Sequence, residues 1–191
     1  LTLRGHTAEI DGISFSADSR RLATSSIDQT VRVWGGDMPT RSLTVELGKR
    51  EEAHVHFLRG LMHSLSGKNS EALVSFQTAI DIYRELIDEG LDDPECRDDL
   101  ATAYHELSLT QRQFAGDRKS QVTPEDAIGS IKMSIEIRQK LVAAHPQNAE
   151  YRNALAGTFN SLAIIQVNVG KQSAAVVSYR RAIQEFEQLV Q

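Results

Sequence analysis

The chain has 191 residues, 40% hydrophobic and 25% charged, with a formal net charge of −5. This suits globular packing in one or two domains. The acidic balance, without a basic cluster long enough to follow a phosphate backbone, speaks against nucleic acid as a partner. One cysteine, Cys96, excludes an internal disulfide and fits a reducing compartment, so a cytoplasmic location is expected. No apolar run reaches the roughly 20 residues of a membrane helix, so membrane insertion is not expected.

Residues 1–36 carry short alternating runs separated by polar turns. Residues 10–15 alternate, 16–19 form a turn, 21–26 follow, a second turn covers 27–29, and 30–34 close the series. Three short strands in a meander are expected. Residues 43–47 read either as a further strand or as the start of the first helix, with Thr40 or Ser42 as its cap. The β-branched residues and Gly48 favour the strand.

Six helices are expected after this point. The first covers 51–65. The second covers 70–89, with an apolar stripe at Ala72, Phe76, Ala79, Ile80, Tyr83, Leu86 and Ile87, and stops at Gly90. Asp93–Pro94 is a start signal for a third helix running to Phe114. A polar loop at 115–122 follows. Thr123–Pro124–Glu125–Asp126 starts the fourth, which ends before His145–Pro146 because a residue preceding proline disfavours the helical region. Asn148 caps the fifth, and Gly170–Lys171–Gln172 turns the chain into the sixth.

The last two helices form a hairpin that repeats upstream. Ala175, Tyr179 and Ala182 correspond to Ala72, Phe76 and Ala79, and to Ala127, Ile131 and Ser134. The preceding helices align as Phe159/Leu162/Ala163, Tyr104/Leu107/Ser108 and, more weakly, His56/Arg59/Gly60. These residues resemble the tetratricopeptide repeat over 50–190. The copies lie 55 and 48 residues apart, against about 34 in that family. The resemblance therefore implies three extended helical hairpins, stacked as a right-handed α-solenoid.

Residues 1–47 resemble one WD repeat, a β-propeller blade. The carrying residues are Gly5–His6, the 15–18 corner, 22–26 with Asp28, and 31–34 ending in Trp34. Gly48 follows Gly5 by 43 residues, a normal spacing for such a repeat, while Gly35 stands where an aspartate is usual. The resemblance implies a buried hydrogen-bond network of His6, Asp28, Trp34 and a strand hydroxyl, Thr24 or Ser26. It also implies that Leu1–Arg4 would be an outer strand of a preceding blade. One blade buries too little apolar surface to fold alone, so further blades upstream are expected. The expected division is 1–47 and 48–191. This order of modules is similar to that of large bacterial multidomain proteins, some with a Ser/Thr protein kinase domain.

Chemistry-bearing constellations are absent from the sequence. There is no phosphate-binding glycine loop ending in Lys–Ser/Thr, no His–Glu–x–x–His, no paired Cys–x–x–Cys and no nucleophile elbow. His54, His56 and His63 lack a legible third ligand and second shell on a common face. No catalytic residue, cofactor or metal is expected. Tetratricopeptide arrays present a groove lined by their first helices. Carried onto this chain, the lining is Phe57, Leu61 and Leu65, then His105, Leu109 and Arg112, then Asn160, Ile164 and Asn168. The resemblance thus implies a non-catalytic scaffold for a peptide or helix of a protein partner. The competing expectation is a regulatory or structural tail of a larger enzyme. Self-association through the apolar end of the sixth helix (Phe186, Leu189, Val190) is a further expectation.

Overall fold

The computed structural model describes residues 5–15, 21–28, 30–35, 43–46, 48–115 and 120–189. The expected turn at 16–19, the strand at 1–4, position 29 and Val190 lie outside them. Contacts divide the chain into two compact units, Leu1–Glu52 and Ala53–Gln191.

The first unit holds a four-stranded antiparallel sheet in sequential order, β1 (Ile10–Phe15), β2 (Arg21–Ser26), β3 (Thr30–Gly35) and β4 (Leu43–Glu46). Ile13 pairs with Thr24, Thr24 with Arg32, and Arg32 with Thr44. The stretch at 43–47 is therefore a strand through Glu46, as its β-branched residues favour.

Among the described residues six helices follow: α1 (Lys49–Leu65), α2 (Asn69–Asp88), α3 (Pro94–Phe114), α4 (Pro124–Ala144), α5 (Ala149–Asn168) and α6 (Gln172–Glu187). Their boundaries come from local chemistry. Asp93 accepts from the Cys96 amide at 2.7 Å, with Pro94 in the first turn. Thr123 and Asp126 form a reciprocal capping box, and Asn148 accepts from the amides of Glu150 and Tyr151. The α1–α2 and α5–α6 turns are the same structure built twice. Gly67 (φ 72°) and Gly170 (φ 74°) sit in the left-handed region. Lys68 N–H reaches back to His63 O, and Lys171 N–H to Gln166 O. A side chain at either glycine would strain this cap.

Consecutive helices from α2 to α6 pack against one another, and α3 also touches α5 directly. Phe57 of α1 lies against Phe76 of α2, with ring centroids 5.8 Å apart. One core cluster joins α1, α2 and α3 around Phe76, Ile80, Tyr83, Leu100 and Leu107. A second joins α4, α5 and α6 around Ile131, Leu155, Phe159, Leu162 and Ala182. Where α3 meets α4, the buried Ser134 occupies the place of Ala79 and Ala182. Its hydroxyl donates to Ala101 O at 2.7 Å, which satisfies the polar group that this substitution introduces. The weakest aligned position, Gly60, has a packing reason. A Cβ there would stand 2.6 Å from two carbons of the Phe76 ring.

Candidate functional site

Two polar assemblies stand out, one in each unit. In the sheet, His6 Nδ1 lies 3.0 Å from Asp28 Oδ2, and Nε2 lies 2.8 Å from Thr24 Oγ1. Trp34 Nε1 donates to the same Thr24 oxygen at 2.9 Å. The Asp28 carboxylate can only accept, so the His6 proton on that side sits on Nδ1. In that tautomer Nε2 accepts from the Thr24 hydroxyl, whose oxygen in turn accepts from the indole. Thr30 Oγ1 donates to Asp28 Oδ1 at 2.6 Å, and the Thr7 amide donates to Oδ2 at 2.7 Å. Burial would raise the Asp28 carboxyl, but the hydrogen bonds from Thr30, Thr7 and His6 outweigh it and hold it well below the usual carboxylate range. Of the two candidate hydroxyls, Thr24 meets His6 and Trp34, while Ser26 donates to Ala8 O and accepts from the Asp28 amide. This assembly ties β2 and β3 to the segment before β1.

In the helical unit the centre is a residue that sequence reasoning missed. Arg138 of α4 is buried, and its guanidinium reaches between α3 and α5. It donates to Thr102 Oγ1 at 3.0 Å, to Ala154 O at 3.2 Å, and to Thr158 Oγ1. Asp98 Oδ1 stands 3.8 Å from its Nε, an ion pair without a hydrogen bond. Burial lowers the Arg138 pKa, and Asp98 and Glu106 oppose that. Burial in turn raises both carboxyls against the pull of Arg138. The signal was present in the sequence, because position 138 continues the buried series Ala127, Ile131, Ser134 and Leu141 at helical steps.

Beside Arg138, His105 Nε2 of α3 shares a hydrogen bond of 2.9 Å with Ser161 Oγ of α5. Burial, then the nearby Arg138, lowers the His105 pKa to about 4. The pair has the atoms of a nucleophile and its base. A base at about 4 is neutral at pH 7 but too weak to take a serine proton readily. Its Nδ1 is 4.0 Å from Glu106 Oε1, too far for the orienting hydrogen bond such a dyad uses. The pair fastens α3 to α5.

The structure distributes the nine expected groove residues unevenly. Phe57 and Leu61 are half-buried and pack on the first core cluster, and Leu65 is 89% exposed at the end of α1. Among the described residues no hydrogen bond or ring contact joins these three to the other six. His105 is tied to α5 as described, Leu109 is half-buried one turn further along α3, and Arg112 is exposed. Asn160, Ile164 and Asn168 are exposed on α5, next to Ser161 or on the turns beyond it. The contact between α3 and α5 thus brings the second and third sets to neighbouring helices.

His54 stacks on Phe57, with centroids 6.2 Å apart, and Cys96 is buried in the first cluster. Among the described residues no group of three or more His, Cys, Asp or Glu side chains is placed to hold a metal ion, and no helix is long and apolar enough to cross a membrane.

Residues 1–35 match the family described as WD domain, G-beta repeat. No curated protein matches the chain. A WD repeat is a propeller unit that serves protein interaction, and stacked helical hairpins present extended binding surfaces. The chain carries parts of interaction-module type, a WD repeat and a six-helix unit after it.

Proposed function

We propose that the chain is a non-catalytic scaffold in which residues 48–191 are three tetratricopeptide-like hairpins that receive a peptide or helix of a protein partner, and residues 1–47 are a WD blade. The groove runs along α1, α3 and α5. The observation that supports this reading is the direct contact of α3 with α5, fastened by His105–Ser161, because these two helices carry Leu109 and Arg112 and Asn160, Ile164 and Asn168. Such a surface pairs apolar contact with amide and guanidinium donors, as an extended peptide or a helix requires. Helices held by the Arg138 network are already ordered, so a partner loses little free energy to receptor ordering. The order of modules favours a cytoplasmic bacterial protein. The end of α6 offers a separate surface for self-association.

The test is selection of phage-displayed peptides on the full chain, followed by binding to Leu109→Glu and Ile164→Glu. The selected peptides bind wild type and lose at least about tenfold affinity for both variants, whose helicity is unchanged. Equal binding to both variants would refute the groove.

A further inference from the structure

The three hairpins treat equivalent positions differently. Ile80, Tyr83 and Leu86 of α2 are buried in the cluster that α3 completes. Ile135, Arg138 and Leu141, their counterparts on α4, are buried as well, with α5 packed on α4. The counterparts on α6 are Ile183, Phe186 and Leu189. Ile183 is 55% exposed and Phe186 42% exposed. Val176, Tyr179, Ile183 and Phe186 form a stripe within an arc of about 80° on the helix, on a face that two earlier copies keep covered.

The charges beside the stripe indicate what covers it. Arg180 and Glu187 are seven residues apart and flank it on one side, while Ala175 and Ala182 on the other side pack towards α5. Neither Arg180 nor Glu187 makes a hydrogen bond or ion pair among the described residues. When two antiparallel helices pair across a two-fold axis, flanking residues of the same side face each other, and their numbers sum to a constant. Arg180 then meets Glu187 of the second helix, and Glu187 meets Arg180, around an axis near Ile183. A head-to-tail contact with α1 fits less well. Where α3 offers Tyr104 and Leu107 to α2, α1 has His56 and Arg59.

We propose that a second copy of this chain covers the α6 stripe, α6 packing antiparallel on α6 with two reciprocal Arg180–Glu187 pairs. This gives the self-association surface above a specific geometry and does not depend on the groove.

Sedimentation of the full chain between about 1 and about 100 μM tests it. Wild type shows a monomer–dimer equilibrium with no larger species, because an isologous contact closes on itself. Ile183→Glu is monomeric with wild-type helicity, since the position is exposed. Arg180→Glu weakens association at least about tenfold, and Arg180→Glu with Glu187→Arg restores it. Four results would overturn the proposal: a wild-type monomer throughout, species growing beyond the dimer, a dimer persisting in Ile183→Glu, or no recovery in the double reversal. Capture of a synthetic 94–114 peptide by a chain that stays monomeric would assign the stripe to a foreign helix instead. A phage-selected groove peptide binds wild type and Ile183→Glu alike, so the two readings fail independently.

Discussion

Replacing Arg138 probes the polar tie at the middle of the helical unit. Its guanidinium makes hydrogen bonds to Thr102, Ala154 O and Thr158 and lies 3.8 Å from Asp98, almost entirely out of solvent. Each hydrogen bond involving a charged group contributes about 1.5–3 kcal/mol. The cost of dehydrating the cation offsets part of their sum. Removing one member of a buried polar assembly typically costs about 3–5 kcal/mol, because the other members remain buried without partners. Arg138→Ala also leaves the space of the side-chain stem empty, so we expect about 3–4 kcal/mol. Arg138→Met fills most of the space but leaves the same partners unpaired, so it should cost about 3 kcal/mol, less than Arg138→Ala only by the cavity contribution. Asp98 is about a third exposed, so its coupling to Arg138 in a double-mutant cycle with Asp98→Asn should be only about 0.5–1 kcal/mol. Urea unfolding followed by far-UV circular dichroism measures wild type, the two Arg138 variants, Asp98→Asn and the double variant of the cycle. A cost below about 1 kcal/mol for Arg138→Ala would refute the assignment of Arg138 as the tie between α3 and α5.

His105 gives a pH dependence. Its pKa falls from 6.5 to about 4 on folding, so between those values the unfolded chain binds a proton that the folded chain does not. The stability from keeping it neutral is present above pH 6.5 and is lost as pH falls towards 4, by up to roughly 2–3 kcal/mol. Asp98 and Glu106, raised by burial, act in the opposite sense. The effect is therefore read as the difference between wild type and His105→Gln at each pH, and a constant difference would contradict it. In the sheet, Thr24→Val leaves Trp34 Nε1 and His6 Nε2 without their partner and should cost about 2–3 kcal/mol, against about 1 for Ser26→Ala. Fluorescence of Trp34, the chain's single tryptophan, reports this unfolding, and equal costs would refute Thr24's special place. Two helical glycines should respond with opposite signs. Gly129→Ala meets no atom within 4 Å and should stabilise by up to about 1 kcal/mol, while Gly60→Ala drives a methyl into the Phe76 ring and should cost about 1 kcal/mol net. Thermal melts of the two variants check the signs.

Helix ends were the most legible feature, because each depends on a few adjacent residues: Asp93 with Pro94, Thr123 with Asp126, Asn148, and the glycines at 90 and 170. The small–aromatic–small run of α2 was also legible, since the burial of Ala72, Phe76 and Ala79 follows from spacing; on α6 the same spacing buries Ala175 and Ala182 but leaves Tyr179 half-buried. Contacts between alternate helices were not. His105 and Ser161 are 56 residues apart, and their hydrogen bond depends on how α3, α4 and α5 stack. Arg138 escaped because a charged residue reads as surface unless its register is followed, and here the register runs straight into the core. Phe57 and Leu61 show a different limit. A helix packed on one neighbour has core and flanking apolar positions within the same stripe, so periodicity does not separate them. Thr24 and Ser26 point to the same face of β2, and which hydroxyl meets His6 depends on the position of the segment before β1.

The scaffold reading is tested most directly by the footprint of a bound peptide. Amide hydrogen exchange of the full chain, with and without a phage-selected peptide, should show added protection along α3 and α5, around residues 105–112 and 160–168. Protection confined to α6, or to the sheet, would contradict the groove and move the binding surface elsewhere on the chain.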